Sequence, residues 1–378
     1  MPKKILIICF TDIARDPRVR RQISFLKNSY EITVLGSGDP GIAGITYLHC
    51  PFKHHTARQK VVPFLLLAGR QYEKHYWRQS FIKTGLKLLE NRRYDLLIAN
   101  EINSLPLAVA AAGGAKILFD AHEYYPGSRE NTLIWELTFK PYFLHLCRRF
   151  LPGTDAFTTV SHGIAGEYER IFKMPATVIT NASDHAAITP RPTDPSRIRL
   201  VHHGLAIPTR KIEDNIEILK HLDGRFELNL VFSHNSDKKY IRHLKNMTRQ
   251  LSNVVYHEPV EMENIPAFIS RFDIGLAYFK PTTFNLKHVL PNKFFEFIQA
   301  RLAIAVGPSP EMAGIVSRHG LGLVSPSFAP ADLAGLLNTL SAAQIDEYKH
   351  NSDKAARLFC AENNKAVLLD LIGSLVGH

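Results

Sequence analysis

Short apolar runs alternating with longer amphipathic stretches recur along this chain, and the pattern starts twice. The first start is Lys4–Phe10, KILIICF, and the second is Arg199–His203, just after the polar, proline-rich connector ITPRPTDPSR. Apolar runs of this length, bounded by turn residues and separated by segments of helical spacing, predict parallel strands joined by crossover helices. In the first half, strands are expected at Glu31–Leu35, Ile45–His49, Asp95–Ala99, Lys116–Asp120 and Ala156–Val160, and Ala176–Thr180 leads into NASD. In the second half they are expected at Phe226–Ser233, Val254–Tyr256, Ile274–Ala277 and Leu302–Val306. The connector is the clearest linker in the chain. The fold class that follows is α/β: two doubly wound, Rossmann-like domains facing a cleft. They occupy residues 1–188 and 189–354, with a helical tail at 355–378, and 378 residues suffice for two cores. Thr56–Asn91 reads as one long helix or two shorter ones with a break at Pro63; Thr132–Phe150 and Ala355–Val376 read as single helices.

Several function classes are excluded or weakened at once. A dinucleotide-binding fold places a G-x-G-x-x-G turn after its first strand, and no glycine lies between Met1 and Leu35. Cys9, Cys50, Cys147 and Cys360 are far apart, which gives neither a zinc spacing nor a disulfide framework. MPKKILIICF is too short for a signal peptide, and no apolar run reaches the ~18–20 residues that span a bilayer. A cytoplasmic protein is expected, with the inner face of the membrane as a peripheral location. The net charge of +11 and pI near 9.4 call for an anionic partner. Nucleic acid is the poorest candidate, because no recognised binding module appears. The segment Thr56–Asn91 interleaves Arg58, Lys60, Arg70, Lys74, Arg78, Lys83 and Lys87 with aromatics. It suits an anionic membrane surface, and it equally suits a helix packed by its aromatics and wetted by its cations.

The most informative stretch is Leu290–Ala313, LPNKFFEFIQARLAIAVGPSPEMA. It reads as helix, strand, helix. Phe294, Phe297 and Ile298 fall at helical spacing and should face a core, while Lys293 and Glu296, three apart, share another face. Beyond the apolar run, Ser309 is placed to cap a helix whose first residues are Pro310 and Glu311. A helix mouth at the carboxyl end of a parallel strand presents free N–H groups to a phosphate. In the second half's first strand, Gly204 allows close ligand approach, and Arg210 and Lys211 precede the helix IEDNIEILKHL. Cations are otherwise disfavoured at a helix start.

The run PNKFFEF…GPSPEMAGIV resembles the donor-site signature of GT-B glycosyltransferases of the retaining family-four group, and TTVSHGIAGEYERIF…TVITNASD resembles the hand-over between their halves. The resemblance covers most of the chain. It implies that Glu296 holds ribose hydroxyls, that Ser309, Glu311 and Met312 meet the diphosphate, and that Gly204, Arg210 and Lys211 cradle it. It implies a base site at Tyr256–Val260, including Glu258, and puts His122, in FDAHEYYPGSRE, at the donor sugar and the reacting centre. Arg15 and Arg18, in DPRVRRQISFL and the loop before it, would meet an anionic acceptor or form a solvated helix end. His288 stands where the group carries the first of two glutamates separated by seven residues. Asn292 and Lys293 are then expected to share in sugar reading. The implied reaction is retaining transfer from a nucleotide-diphosphate sugar, UDP-linked by expectation. The acceptor would be a glycan, lipid-linked or small-molecule hydroxyl, in bacterial cell-surface polysaccharide or glycolipid synthesis. No metal or other cofactor is implied, since cations and helix N–H groups meet the phosphates. Two other readings stay open: a GT-B sugar-nucleotide epimerase, and a catalytically degenerate protein that binds membranes or polyanions.

Overall fold

The computed structural model describes residues 2–52 and 61–377. The chain forms two compact units: one of Met1–Thr180, Thr283–Asn285 and Lys365–His378, the other of Asn181–Thr282 and Leu286–Asn364.

The first unit holds strands β1 (Lys4–Asp12), β2 (Glu31–Ser37), β3 (Thr46–His49), β4 (Leu96–Asn100), β5 (Lys116–Ala121), β6 (Ala156–Thr159) and β7 (Thr177–Val178). They form one sheet in the order β3-β2-β1-β4-β5-β6-β7, and every pair is parallel. Both faces are covered. Ile5, Ile7 and Cys9 pack on one side with Ile13, Val19 and Ile23, while Leu6, Ile8 and Phe10 pack on the other with Phe81, Leu107 and Phe119. That is why the strands read as unbroken apolar runs rather than as alternations. Leu368 and Ile372 of the helix Ala361–Val376 belong to the first of these layers.

The second unit repeats the plan with β8 (Ile198–Gly204), β9 (Phe226–Phe232), β10 (Val254–His257), β11 (Ile274–Ala277), β12 (Ala303–Val306) and β13 (Gly322–Val324), in the order β10-β9-β8-β11-β12-β13. In both sheets the strand order reverses beside the first strand, between β1 and β4 and between β8 and β11. A crevice outside the carboxyl ends at such a reversal is where open α/β sheets bind ligands. Gly275 fixes the second one. A Cβ there would lie 2.4 Å from the Phe297 ring, so only glycine lets the helix Asn292–Gln299 settle on β11.

Several helices differ from their expected form. The expected Thr56–Asn91 helix is three short ones over its described part, Val61–Ala68, Tyr72–Trp77 and Ser80–Leu89. Residues 56–60, with Arg58 and Lys60, lie outside the described residues. Pro63 lies near the start of the described part of the first of these, and a break comes near Arg70, whose φ of 54° is left-handed. The segment expected as a Thr132–Phe150 helix contains a π turn at Trp135–Phe139 before Lys140–Phe150, and the helical tail is interrupted between Ala356 and Ala361. Ser161 and Ser309 occupy N-cap positions but their side chains make no capping bond, whereas Asp16 caps its helix through Arg18 N and Val19 N, each at 3.1 Å. Cys9, Cys50, Cys147 and Cys360 are all buried free thiols.

Candidate active site

The second unit's reversal collects most of the residues singled out above. At the end of β8, His202 and His203 are buried and Gly204 has a φ of 116°, a conformation that a side chain rarely adopts. A Cβ on Gly204 would come 3.5 Å from Lys293 Cε and Nζ, an ordinary contact, so it is the backbone conformation rather than crowding that calls for glycine here. Lys293 Nζ lies 3.1 Å from His202 Nε2 and 5.1 Å from the centre of the Phe279 ring. One turn further along, Glu296 Oε2 lies 3.3 Å from His203 Nε2. That contact falls outside hydrogen-bonding geometry, and His203 Nε2 is buried without a bond from the protein.

The electrostatics follow from this crowding. Burial, then the charge of Arg210, pull the Lys293 ammonium down to about 7, against the opposing pull of Glu296. Burial and the Lys293 charge hold His202 and His203 well below the ordinary imidazole value, so both rings are neutral. His202 Nε2 therefore accepts from Lys293, and its Nδ1–H faces Leu276 O at 3.2 Å. Asn215, whose Oδ1 otherwise has no partner, completes this set when its oxygen rather than its nitrogen faces Nδ1, 3.3 Å away.

Arg210 closes the short turn Pro208–Arg210, and Lys211 follows with a left-handed φ of 49°. Both keep exposed surfaces, yet Arg210 is surrounded closely enough for burial to lower its pKa. Glu213 and Asp214 occupy the first turn of the next helix, where acids suit the dipole. After β12, Ser309 is buried, its Oγ is unpartnered, and the helix Pro310–His319 opens beside it; Met312 is buried behind. Glu311, in that first turn, lies 3.2 Å from His288 Nδ1. Asn292 is half-buried at the start of its helix. Glu258 is exposed and does not line the adjoining pocket of about 290 Å³. From the expected base loop it is Val260 that does, with Val231, Phe232, Ile265 and Phe268.

In the first unit, His122 follows β5 and its Nε2–H donates to Asn100 Oδ1 at 3.1 Å. Nε2 is also 3.6 Å from Asp120, and Nδ1 is 3.8 Å from Glu101, a residue held at a φ of 66°. Burial opposes protonation of His122, but Asp120 and Glu101 outweigh it and raise its pKa. Arg18 corrects an expectation. It is buried and bidentate to Asp120 at 2.6 and 2.8 Å, with a third bond to Ile179 O at 2.7 Å. The expected acceptor-binding cation is taken up in an internal ion pair. Arg15 is exposed, 3.6 Å from Asp12.

His202, His203, Asp120 and Glu101 were not singled out from the sequence, although the paired histidines before Gly204 were a signal at a strand's end. Asn285 was also missed. Its amide accepts from Tyr124 N at 2.8 Å and donates to Tyr124 O at 3.0 Å, fixing the backbone two residues beyond His122. Among the described residues no group of three or more His, Cys, Asp or Glu is placed to hold a metal ion, and no helix is long and apolar enough to cross a membrane.

Residues 19–187 match the Glycosyltransferase Family 4 model. No curated protein matches the chain by sequence. Among solved structures it is similar to the Anabaena protein Alr3699/HepE in complex with UDP-glucose, at 14% identity and a TM-score of 0.68 over 98% of this chain and 100% of that one. It is also similar to a UDP-forming α,α-trehalose-phosphate synthase from Burkholderia vietnamiensis, at 13% identity and a TM-score of 0.66 over 98% and 100% of the chains. Sucrose-phosphate synthase from Thermosynechococcus elongatus is a third, at 13% identity and a TM-score of 0.70 over 99% of each. The fold of the whole chain is GT-B, and the match to the glycosyltransferase family model falls in its N-terminal half.

Proposed function

We propose that this GT-B chain, with its Glycosyltransferase Family 4 domain, transfers a sugar with retention from a UDP-sugar to an acceptor hydroxyl. The reading extends to a glycan or lipid-linked acceptor in the synthesis of a bacterial cell-surface polysaccharide or glycolipid. One observation carries it: at the second unit's reversal Lys293 approaches Gly204 and feels the Arg210 charge, and past the carboxyl end of β12 Ser309 Oγ is left buried and unpartnered at the mouth of a helix. Such a place suits a diphosphate. HepE was solved in complex with UDP-glucose and the trehalose-phosphate synthase is UDP-forming, which supports a uridine donor.

In this reading Arg210, Lys211 and the N–H groups following Ser309 stabilise the charge that develops on the leaving phosphate, with no metal required. That phosphate takes the acceptor's proton on the face the sugar leaves from. Glu296, beside His203, holds the ribose; His122 meets the donor sugar. The His288–Glu311 pair returns a carboxylate to the position where His288 replaces the usual glutamate, which favours an active transferase over a degenerate binder. Losing one preorganised donor of this kind costs about 2.7–4 kcal/mol, so Arg210→Ala with Lys211→Ala should lower turnover with UDP-glucose, or with the UDP-sugar that a thermal-shift panel selects, by on the order of a hundredfold or more. Unchanged turnover in that double variant would reject the assignment.

A further inference from the structure

The helix Val61–Ala68, VVPFLLLA, buries Leu67 alone. Val61, Phe64 and Leu65 are 56%, 46% and 61% exposed. The π turn Trp135–Phe139 packs beside it and explains a second apolar group. Trp135 turns inward, donating from Nε1 to Pro126 O at 3.0 Å and stacking on Phe139 and Phe143. Leu133, Ile134 and Leu137 are left outside at 74%, 63% and 67% exposure. Single exposed leucines need no explanation, but two adjoining apolar groups on one face do.

Next to this face is an open groove lined by Arg70, Tyr72, Leu144, His145, Arg148 and Arg149. Arg70 ends the stretch after the apolar helix in its left-handed conformation, and Arg148 and Arg149 lie in the last turn of Lys140–Phe150, which continues from the π turn. Apolar side chains and a cationic groove therefore share one side of the first unit. A second copy of the chain would cover the apolar face, but an isologous contact would bring the same cations toward each other. An anionic bilayer satisfies both parts at once.

We propose that this face docks on an anionic phospholipid bilayer, its leucines, isoleucine, valine and phenylalanine entering the acyl boundary and its arginines meeting headgroup phosphates. The inference stands apart from the transferase reading, because binding is measured without turnover. The test is flotation of the full-length protein with phosphatidylcholine vesicles, with and without phosphatidylglycerol. The wild type should float with the mixed vesicles and be released by added salt. Replacing Leu133, Ile134 and Leu137 together by serine should weaken partition by on the order of a hundredfold. Arg148→Ala with Arg149→Ala, which leaves the apolar face intact, should weaken it by roughly twentyfold. Leu358→Ser, at a side chain 55% exposed in the second unit, should change nothing. Circular dichroism establishes that each variant is folded. Failure of the wild type to float, flotation of the folded triple variant like wild type, or a dimer that the triple variant abolishes without vesicle binding would each overturn the proposal.

Discussion

Lys293 gives the sharpest handle on the proposed donor site, because its charge is in balance near neutral pH. Burial, reinforced by Arg210, holds its pKa at about 7 instead of the ordinary 10.5. A depression of that size corresponds to ~5 kcal/mol against charging the lysine in the ligand-free protein. The sign is fixed by linkage. Between pH ~7 and ~10.5 the unfolded chain holds a proton here that the native protein does not, so this group makes stability rise with pH across that window; below it, both states are charged and the full cost is felt. A nucleotide-diphosphate ester reverses the balance, since two nearby negative charges favour the ammonium. At pH 8 the free lysine is roughly 10% protonated, so binding should draw in about 0.9 of a proton, and affinity should fall up to about tenfold per pH unit above 7. His202 and His203, held far down the scale, contribute little in this range.

The assay is calorimetric titration of UDP-glucose at pH 8 in buffers of different ionisation enthalpy, whose slope counts protons. Lys293→Met should bring the slope close to zero. Arg210→Ala removes a charge that depresses the lysine, so it should raise the lysine's pKa and reduce uptake at the same pH. A wild-type slope near zero alongside measurable binding would refute the reasoning, because the anion would then be held somewhere that Lys293 does not feel.

Three further outcomes follow from the same contacts. Asp120→Asn leaves the buried Arg18 guanidinium without its charge partner and should cost ~3–5 kcal/mol in urea unfolding. Because Arg18 and its other bonds hold the Asp120 carboxyl below its ordinary range despite burial, its contribution is complete above pH ~4 and lost as pH falls further; the variant's acid limb should be flatter. Gly275→Ala drives a methyl into the Phe297 ring and should cost ~1–3 kcal/mol in thermal unfolding, with weaker UDP-glucose binding as the Lys293 helix shifts. Glu311→Gln should weaken UDP-glucose more than UDP; an unchanged ratio of the two affinities would remove it from sugar reading.

The sheets were legible because both faces of each are covered, so strands such as Ile274–Ala277 appear as unbroken apolar runs. What periodicity does not carry is local backbone choice. Nothing in apolar spacing distinguishes a π turn at Trp135 from an α turn, and left-handed Arg70 breaks a helical stretch where proline was the expected breaker. In the site, Lys293 and Glu296 were readable from their shared helix face. Their partners His202 and His203 come from a strand about ninety positions earlier and become neighbours only through the β8–β11 pairing. Arg18 shows the opposite failure: a cation beside the loop after the first strand looks available until Asp120, 102 residues later, is found paired with it.

The two reversals are chemically unequal, and this decides where an anion should settle. In the first unit the polar groups at the reversal itself answer one another, Arg18 with Asp120, His122 with Asn100, and Asn100 with Gln22 at 2.9 Å, and the unpartnered Ser161 Oγ lies away from it, past β6. In the second, His203 Nε2, Tyr278 Oη, Ser309 Oγ and Ser325 Oγ are all buried at or just past the carboxyl ends of strands, without bonds from the protein. Each such group costs about 1–3 kcal/mol unless something meets it. A donor diphosphate held by the second unit supplies acceptors and negative charge together, so UDP-glucose should slow amide hydrogen exchange in β8, the start of the helix Asn292–Gln299 and the mouth of Pro310–His319. At a hundredfold excess over its Kd the ligand contributes about 2.7 kcal/mol, enough to slow exchange through global opening of that unit by roughly a hundredfold. Protection confined to the carboxyl ends of β4 and β5 instead would place the anion at His122, and the assignment of the grip to the second unit would fall.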